Sequence, residues 1–228
     1  MCGFQRFQEN GLEQIQTSIA CPPFVLSLHQ FAESLGQAVD AKDPWTFAHS
    51  EEVADIARLL ARKLGCSPDQ AGMVHMAGHL HDIGKIGVPD RILQKPGPLT
   101  KEEFEVIKRH PVIGEGIVGP VKALNGRSGL ARMIRHHHER FDGKGYPDGL
   151  IGEEIPLGAR ILAVADSLSA MMQSRPYKAA MNFEDAEGEI MTHARSMYDP
   201  NVVEVFLRSS EAVRSILTRK RDALQLVG

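Results

Sequence analysis

The chain has 228 residues, of which 43% are hydrophobic and 6% aromatic, and its formal net charge at pH 7 is −3. This length allows a sizeable aliphatic core in one larger domain or two small ones. The slightly acidic balance argues against nucleic-acid binding through a broad basic surface. No apolar run is long enough to span a membrane, and three cysteines without ligand spacing favour a reduced, cytoplasmic compartment.

The N-terminal residues 1–21 are polar and Gln-rich and lack the apolar core of a signal peptide. We expect them to form a mobile lead-in to a single helical domain over residues 22–228, because no linker-like composition interrupts that range. The apolar spacing within residues 22–40 predicts a first helix, whose apolar face also offers a surface for a homodimer.

A second helix is predicted after Asp43-Pro44, where one stripe of residues recurs at helical spacing. The stripe consists of His49, Val53, Ile56, Leu60 and Leu64. It places His49 on the face that packs against the core. The sequence Ser67-Pro68-Asp69-Gln70 is a capping box with proline in the first turn, and it predicts a third helix that runs into His81-Asp82.

The rest of the chain also favours helices separated by loops. Residues 83–98 are rich in glycine and proline and predict a loop. A second capping box, Thr100 to Glu103, predicts a helix that reaches His110-Pro111. Further helices are predicted after Pro111, over residues 128–138 and 160–172, and as two final helices after Asp199-Pro200, with an extended loop over residues 142–156. The predicted fold is an all-α, multi-helix bundle.

The motif His81-Asp82-Ile83-Gly84-Lys85 places a nitrogen and an oxygen donor side by side at a helix end. The carboxylate of Asp82 has two oxygens and can bridge two metal ions. We expect Gly84 to allow a sharp turn and Lys85 to bring a positive charge suited to a phosphate. A lone His-Asp pair is often accidental, so the hypothesis depends on agreement with other segments.

Other donors on the predicted helices supply that agreement. Asp166 is predicted to face inward, where an unpaired carboxylate is costly. Adjacent histidines such as His137 and His138 can serve one site only where a helix ends. Considered alone, a histidine placed like His49 is more often a core residue than a ligand, and one placed like His110 is more often an exposed cation at a helix end. Together they suggest two metal ions, for which ligand type leaves iron, manganese, zinc and nickel open.

These residues resemble the HD-GYP phosphodiesterases, a branch of the HD superfamily of metal-dependent phosphohydrolases. The resemblance covers about residues 43–205. The motifs that carry it are His81-Asp82-Ile83-Gly84-Lys85, His110-Pro111, His137-His138-Glu139, Asp142-Gly143-Lys144-Gly145-Tyr146-Pro147, Ala165-Asp166 and Arg175-Pro176-Tyr177-Lys178. The family is all-helical and bacterial, and it typically hydrolyses cyclic di-GMP to linear pGpG, sometimes onward to GMP. Some members prefer cyclic GMP-AMP.

The resemblance implies a binuclear centre in which iron or manganese is expected first, with zinc and nickel as alternatives. One ion would be held by His49, His81, Asp82 and Asp166. The other would be held by Asp82, His110, His137 and His138. A hydroxide bridging the two ions would attack the phosphate, with Asp82 and Lys85 as catalytic residues. Contacts with substrate are implied for Lys85, Tyr146, Arg175 and Lys178, although surface positions are the plainer interpretation of the last two.

Three positions depart from the family pattern. Some relatives hold a third metal through a glutamate where this chain has Trp45, so we expect two ions. Ser169 stands where an aspartate is frequent, and we expect a structural role for it. His136 is an additional histidine that should point away from the metals as a partly exposed helix residue. We assign His75 and His79 to packing or to a supporting role behind the ligands, and none to His29.

Several alternatives stay open from the sequence. The chain could act on cyclic GMP-AMP or another nucleotide, or bind cyclic di-GMP or a diguanylate cyclase without turnover. In the family, the Gly-Tyr-Pro loop is the expected contact for diguanylate cyclase (GGDEF) domains. A purely structural bundle is the weakest alternative, because it would leave Asp82 and Asp166 unpaired inside the protein.

Overall fold

A computed structural model describes residues 28–43, 48–121, 129–174 and 179–225, with side chains described up to residue 220. The predicted lead-in over residues 1–21 and the residues Trp45, Arg175 and Lys178 lie outside this part. The described α-helices are α1 (Leu28–Lys42), α2 (His49–Lys63), α3 (Pro68–Leu80), α4 (Asp90–Leu93), α5 (Lys101–Ile107), α6 (His110–Val118), α7 (Leu130–His136), α8 (Leu157–Met171), α9 (Phe183–Thr192), α10 (Pro200–Arg208) and α11 (Ser210–Gln225). Within the described ranges the only β-type pairing consists of two isolated bridges, so the prediction of an all-α fold is confirmed.

Both predicted capping boxes form. The Ser67 hydroxyl accepts a hydrogen bond from the Gln70 backbone N–H, and the Gln70 side chain accepts one from the Ser67 N–H. Thr100 and Glu103 make the same reciprocal pair at the start of α5. Each box satisfies two N–H groups that the first helical turn leaves unpaired, which fixes where α3 and α5 begin.

Three predicted boundaries differ from the structure. The region 83–98 is not all loop, since it contains a 3-10 helix (Ile83–Gly87) and α4. The helix that follows Thr100 ends at Ile107, and His110 begins α6 instead of ending α5. Proline is favoured in a first turn because its missing N–H is not needed there, so Pro111 starts a helix. The short helix α9 was not predicted.

Helix α2 lies at the centre of the bundle and packs against α1, α3, α8, α10 and α11. Its stripe residues Val53, Ile56 and Leu60 are fully buried. Helix α3 approaches very closely, because a Cβ atom added at Gly78 would lie 2.5 Å from the Cα atom of Ala54. The close pairing brings the start of α2 beside the end of α3, and the rings of His49 and His81 lie 5.2 Å apart.

Gly84 allows a second close approach. A Cβ atom at this position would overlap the backbone oxygen of His110 and press on the backbone of Gly114. The expected sharp turn at Gly84 needs no positive φ angle, and the residue instead lets the 3-10 helix lie directly on the first turns of α6. His110 is thereby held next to the His81-Asp82 pair.

No helix in the described ranges is both long enough and apolar enough to cross a membrane.

Two glycines of α3 provide a matched test of the packing. Gly78→Ala should lower the free energy of unfolding by about 1–3 kcal/mol, because the new methyl group overpacks the contact with α2. Gly72→Ala should raise it by about 0.5–1 kcal/mol, because nothing lies within 4 Å of that position and alanine favours the helix. Urea denaturation of both variants measures the difference, and equal stability would contradict the described α2–α3 contact.

Candidate metal centre

Two groups of potential ligands meet at the centre of the bundle. In each group the donor atoms lie within 4.8 Å of one another. The first group contains His49 at the start of α2, His81 just after α3, and Asp166 of α8. The second contains His110 at the start of α6, and His137 and His138 just after α7. Six of the seven predicted ligands thus fall into these two groups.

The seventh predicted ligand, Asp82, lies between the two groups. Its Oδ2 atom is 3.3 Å from Nε2 of His81 and 4.0 Å from Nε2 of His49. Its Oδ1 atom is 3.2 Å from Nε2 of His110. Each carboxylate oxygen faces a different group of histidines, which is the arrangement that a bridging carboxylate requires.

The backbone orients three of the imidazoles. In His81, His110 and His137, Nδ1 donates to the carbonyl oxygen of the residue three positions earlier, at 2.7, 2.8 and 2.6 Å respectively. A neutral ring that donates through Nδ1 carries its lone pair on Nε2. The Nε2 atoms of His110 and His137 face each other at 3.4 Å, so both lone pairs point into the centre.

Ser169 orients the fourth imidazole, His49. Nδ1 of His49 lies 2.9 Å from Oγ of Ser169, whose hydroxyl donates to Oε2 of Glu52 at 2.6 Å. The Ser169 hydroxyl can accept from Nδ1 because its own proton is engaged by the buried carboxylate of Glu52. The sequence predicted a structural role for Ser169, but it did not indicate the contact with His49, which is 120 residues away.

His136, the first of the three consecutive histidines, takes no part in the centre. Its Nδ1 bonds the carbonyl oxygen of Arg132 at 2.8 Å, and its Nε2 bonds Oδ2 of Asp148 at 2.9 Å. The prediction that it is partly exposed is wrong, because 4% of its surface is accessible. Arg135 pairs with the same carboxylate, so α7 and the loop that follows it are tied together.

The Gly-Tyr-Pro loop borders the centre on its accessible side. The side chain of His138 is 28% exposed, whereas that of His81 is fully buried. The ring of Tyr146 lies 4.9 Å from the ring of His138, and the Tyr146 N–H donates to the His138 carbonyl. A Cβ atom at Gly145 would overlap the backbone of Glu139 and Arg140, so only glycine lets the loop fold back this far.

The two carboxylates stay ionised in spite of their burial. Burial acts to raise the pKa of Asp82, but the charges of Lys85 and His81 outweigh it and hold that pKa well below its ordinary value. Burial also opposes ionisation of Asp166, but the polar ring of His49, with Nε2 at 3.1 Å, and the charge of His81 lower its pKa. Both groups are therefore anionic ligands at neutral pH.

The histidines of the centre differ in their protonation at neutral pH. Burial acts to lower the pKa of His81, but the carboxylates of Asp82 and Asp166 raise it to about 9. Burial lowers the pKa of His110 to about 3, and burial also lowers the pKa values of His137 and His138. The second group is thus neutral and ready to bind, whereas His81 holds a proton that a metal ion would displace.

Lys85 lies against the proposed bridging carboxylate. Its Nζ atom is 2.7 Å from Oδ2 of Asp82 and 3.4 Å from Oδ2 of Asp43. Burial acts to lower the pKa of Lys85, but these two carboxylates raise it above its ordinary value. The side chain is a permanent cation beside the centre.

The donor set fits divalent metal ions. Five imidazoles and two carboxylates converge, and Nε2 of His81 is buried without a hydrogen bond although it lies close to two acids. Mixed nitrogen and oxygen donors suit iron, manganese, zinc and nickel and do not select one of them. Arg175 and Lys178 lie outside the described residues, so their predicted contacts with substrate stay predictions.

Comparison with known proteins agrees with this chemistry. Residues 33–202 match the family model described as HD domain. The chain is 41% identical to the cyclic di-GMP phosphodiesterase response regulator RpfG of Xanthomonas campestris, over 80% of this chain and 48% of the relative. It is 36% identical to the 3'3'-cGAMP-specific phosphodiesterase 1 of Vibrio cholerae, over 90% of this chain and 48% of the relative.

The fold is also similar to a solved structure, that of a cyclic GMP-AMP specific phosphodiesterase of Vibrio cholerae (V-cGAP3). The TM-score is 0.64 at 18% identity, and the match covers 84% of this chain and 50% of the other. At that identity the likeness concerns the fold alone. The chain spans about half the length of the curated relatives it matches.

The protonation of His81 makes metal affinity depend on pH. Without metal, the ring keeps its proton up to about pH 9, so an incoming ion must displace it. Affinity for Mn²⁺ should therefore rise about tenfold per pH unit between pH 7 and 9 and level off above that. Calorimetric titrations across this range measure the slope. An affinity that does not change with pH would show that the metal does not displace a proton from His81.

Proposed function

The chain belongs to the HD domain family, and we propose that it is a metal-dependent phosphodiesterase that hydrolyses cyclic di-GMP to linear pGpG. The observation that carries the proposal is the placement of Asp82, with one oxygen toward each group of histidines. A centre with a shared carboxylate suits phosphate-ester hydrolysis, in which both the attacking and the leaving oxygen need stabilisation. The name of the Xanthomonas relative supports the substrate.

We infer two divalent ions, with iron or manganese as the first choice. The first would be held by His49, His81, Asp82 and Asp166, and the second by Asp82, His110, His137 and His138. When bound, such ions supply Lewis acidity that lowers the pKa of water and neutralises charge on a phosphate. The protein contributes fixed tautomers, since the carbonyl groups and Ser169 hold the rings before any metal arrives.

Lys85 would act as a fixed positive charge. Its pKa is raised by Asp82 and Asp43, so it keeps its proton and is a weak proton donor. A cation at this place stabilises the negative charge that develops on the phosphate oxygens, and it needs no reorganisation because two carboxylates already hold it. We therefore favour charge stabilisation for Lys85 over protonation of the leaving oxygen.

The substrate would approach past His138 and Tyr146. Both side chains are partly exposed, and Nζ of Lys108 lies 5.7 Å from the centre of the Tyr146 ring. An aromatic ring beside a cation suits a nucleotide, which presents a flat base and a phosphate. Arg175 and Lys178 are predicted to hold the second phosphate, which would give a chain of net negative charge a locally positive cleft.

Cyclic GMP-AMP is the second candidate substrate, because the Vibrio cholerae relative is named as specific for it. The metal centre would contact the phosphate and not the base, so its geometry suits either cyclic dinucleotide. A non-catalytic role is less well supported, since all seven predicted ligands converge. Contact of the Gly-Tyr-Pro loop with diguanylate cyclase domains, a homodimer and further hydrolysis to GMP stay predictions.

Hydrolysis assays test the proposal together with its central residue. The manganese- or iron-loaded protein should convert cyclic di-GMP to pGpG faster than it converts cyclic GMP-AMP. Asp82→Ala should lose activity and most of the bound metal, whereas Asp69→Ala, at the exposed start of α3, the helix that precedes Asp82, should keep both. Product chromatography and metal analysis of the same samples measure the outcome.

Two results would contradict this scheme. Loaded protein that leaves cyclic di-GMP intact but cleaves cyclic GMP-AMP would reassign the substrate. Unchanged metal content in Asp82→Ala would show that this carboxylate does not join the two ligand groups.

The role of Lys85 has a separate test. Lys85→Met should lower kcat/KM by about 10²–10³-fold, by analogy with removal of one preorganised donor, while metal content is retained. Lys63→Met, at the exposed end of α2, is the matched control and should be unaffected. Steady-state kinetics with metal analysis separates the two variants. Activity of Lys85→Met equal to that of the control would exclude charge stabilisation by this residue.

A further inference from the structure

A second cluster of histidines lies outside the proposed binuclear centre. His75 and His79 are one turn apart on α3, and His29 lies in the first turn of α1. Their donor nitrogens lie within 4.8 Å of one another. Residues two apart on a helix point in nearly opposite directions, so His79 faces away from the side on which His81 enters the centre.

The three rings pack directly on one another. The ring centroids of His29 and His75 are 4.6 Å apart, those of His75 and His79 are 4.8 Å apart, and those of His29 and His79 are 5.5 Å apart. His75 and His79 are buried, whereas His29 is half-buried. A pair of histidines four residues apart on one helix face is a common metal-binding arrangement.

Hydrogen bonding leaves donor atoms available in this cluster. Nε2 of His75 is 3.0 Å from Oδ1 of Asp55, and the other oxygen of Asp55 is 3.2 Å from Nζ of Lys220. A histidine that donates one ring N–H to a carboxylate presents the lone pair of its other nitrogen, as metal-binding histidines generally do. Nδ1 of His79 is buried without any hydrogen-bond partner, which is costly unless something satisfies it.

We propose that His29, His75 and His79 form a separate site for one transition-metal ion, with Zn²⁺ as the best-suited occupant. Three imidazoles without a carboxylate ligand favour zinc, nickel or copper over magnesium, calcium or manganese. A tetrahedral ion with three nitrogen ligands leaves a fourth position for water.

The site would fasten α1 to α3, the helix that leads into the His81-Asp82 pair. The two helices already touch, since a Cβ atom at Gly36 would lie 2.5 Å from the carbonyl oxygen of His79. An ion held by one residue of α1 and two of α3 adds a cross-link at the start of α1. Zinc at this place would stabilise the bundle without contacting the substrate.

Zinc binding can be measured in the full chain with His29→Ala, His79→Ala and the control His193→Ala. His193 is a partly exposed histidine just after α9, outside the cluster, and its ring pairs with Glu189. After loading with Zn²⁺ and removal of the excess, the wild type and His193→Ala should retain one ion per chain more than the two cluster variants. The same comparison in an Asp82→Ala background isolates this site from the binuclear centre.

Thermal unfolding gives a second readout. Zn²⁺ at about 100 times its Kd should raise Tm of the Asp82→Ala protein by about 5–10 °C, and replacement of His29 should abolish that shift. His29 is half-buried in a first turn, so its removal leaves the core intact even where His79→Ala fails to fold. Equal zinc content and equal Tm shifts in His29→Ala and His193→Ala would overturn the proposal. Neither readout uses cyclic dinucleotide hydrolysis, so failure of the proposed activity would leave this test unaffected.

Discussion

The buried carboxylate of Asp82 is the constraint on which the rest of the centre depends. An ionised group inside a protein costs several kcal/mol unless charges and hydrogen bonds compensate it. Here Lys85 approaches one oxygen, His81 lies beside it, and His110 faces the other oxygen. These partners come from three different segments, so the charge can be compensated only when α3, the following 3-10 helix and α6 are assembled. The packing that assembles these three segments is therefore also what compensates the charge of Asp82.

Close backbone packing brings the compensating charges within reach of Asp82. Gly78 lets α2 lie against α3, and Gly84 lets the 3-10 helix lie against α6, each at a distance that any side chain would prevent. The imidazoles are then oriented by backbone carbonyl groups, which cannot rotate away as side chains can. The site gains its precision mainly from helix geometry, and Ser169 extends the same principle to His49 through a side chain.

Local signals in the sequence predicted much of this arrangement. The apolar stripe placed His49 inward, the two capping boxes marked the starts of α3 and α5, and the pair His137 and His138 fell just after a helix end, where neighbouring rings can converge. The errors have two sources. The pair His110-Pro111 was assigned to the end of one helix, although both residues lie in the first turn of the next, and His136 was given an exposed position because its partner Asp148 is twelve residues away on a loop.

Helix α3 shows why the histidine at position 79 was harder to interpret than its neighbour at position 81. Helical periodicity assigns the two residues to different faces but does not say what covers each face. One face meets Asp82 and Asp166, which compensate a protonated ring. The other meets His29 of α1, fifty residues earlier, where the orphaned Nδ1 atom has neither an acid nor a carbonyl as partner. The segment 79–81 thus presents imidazoles to two environments: His81 lies beside Asp82 and Asp166, whereas His79 packs against His29 and His75, and burial lowers its pKa to about 4. The second environment is suited to a metal ion that prefers neutral nitrogen ligands.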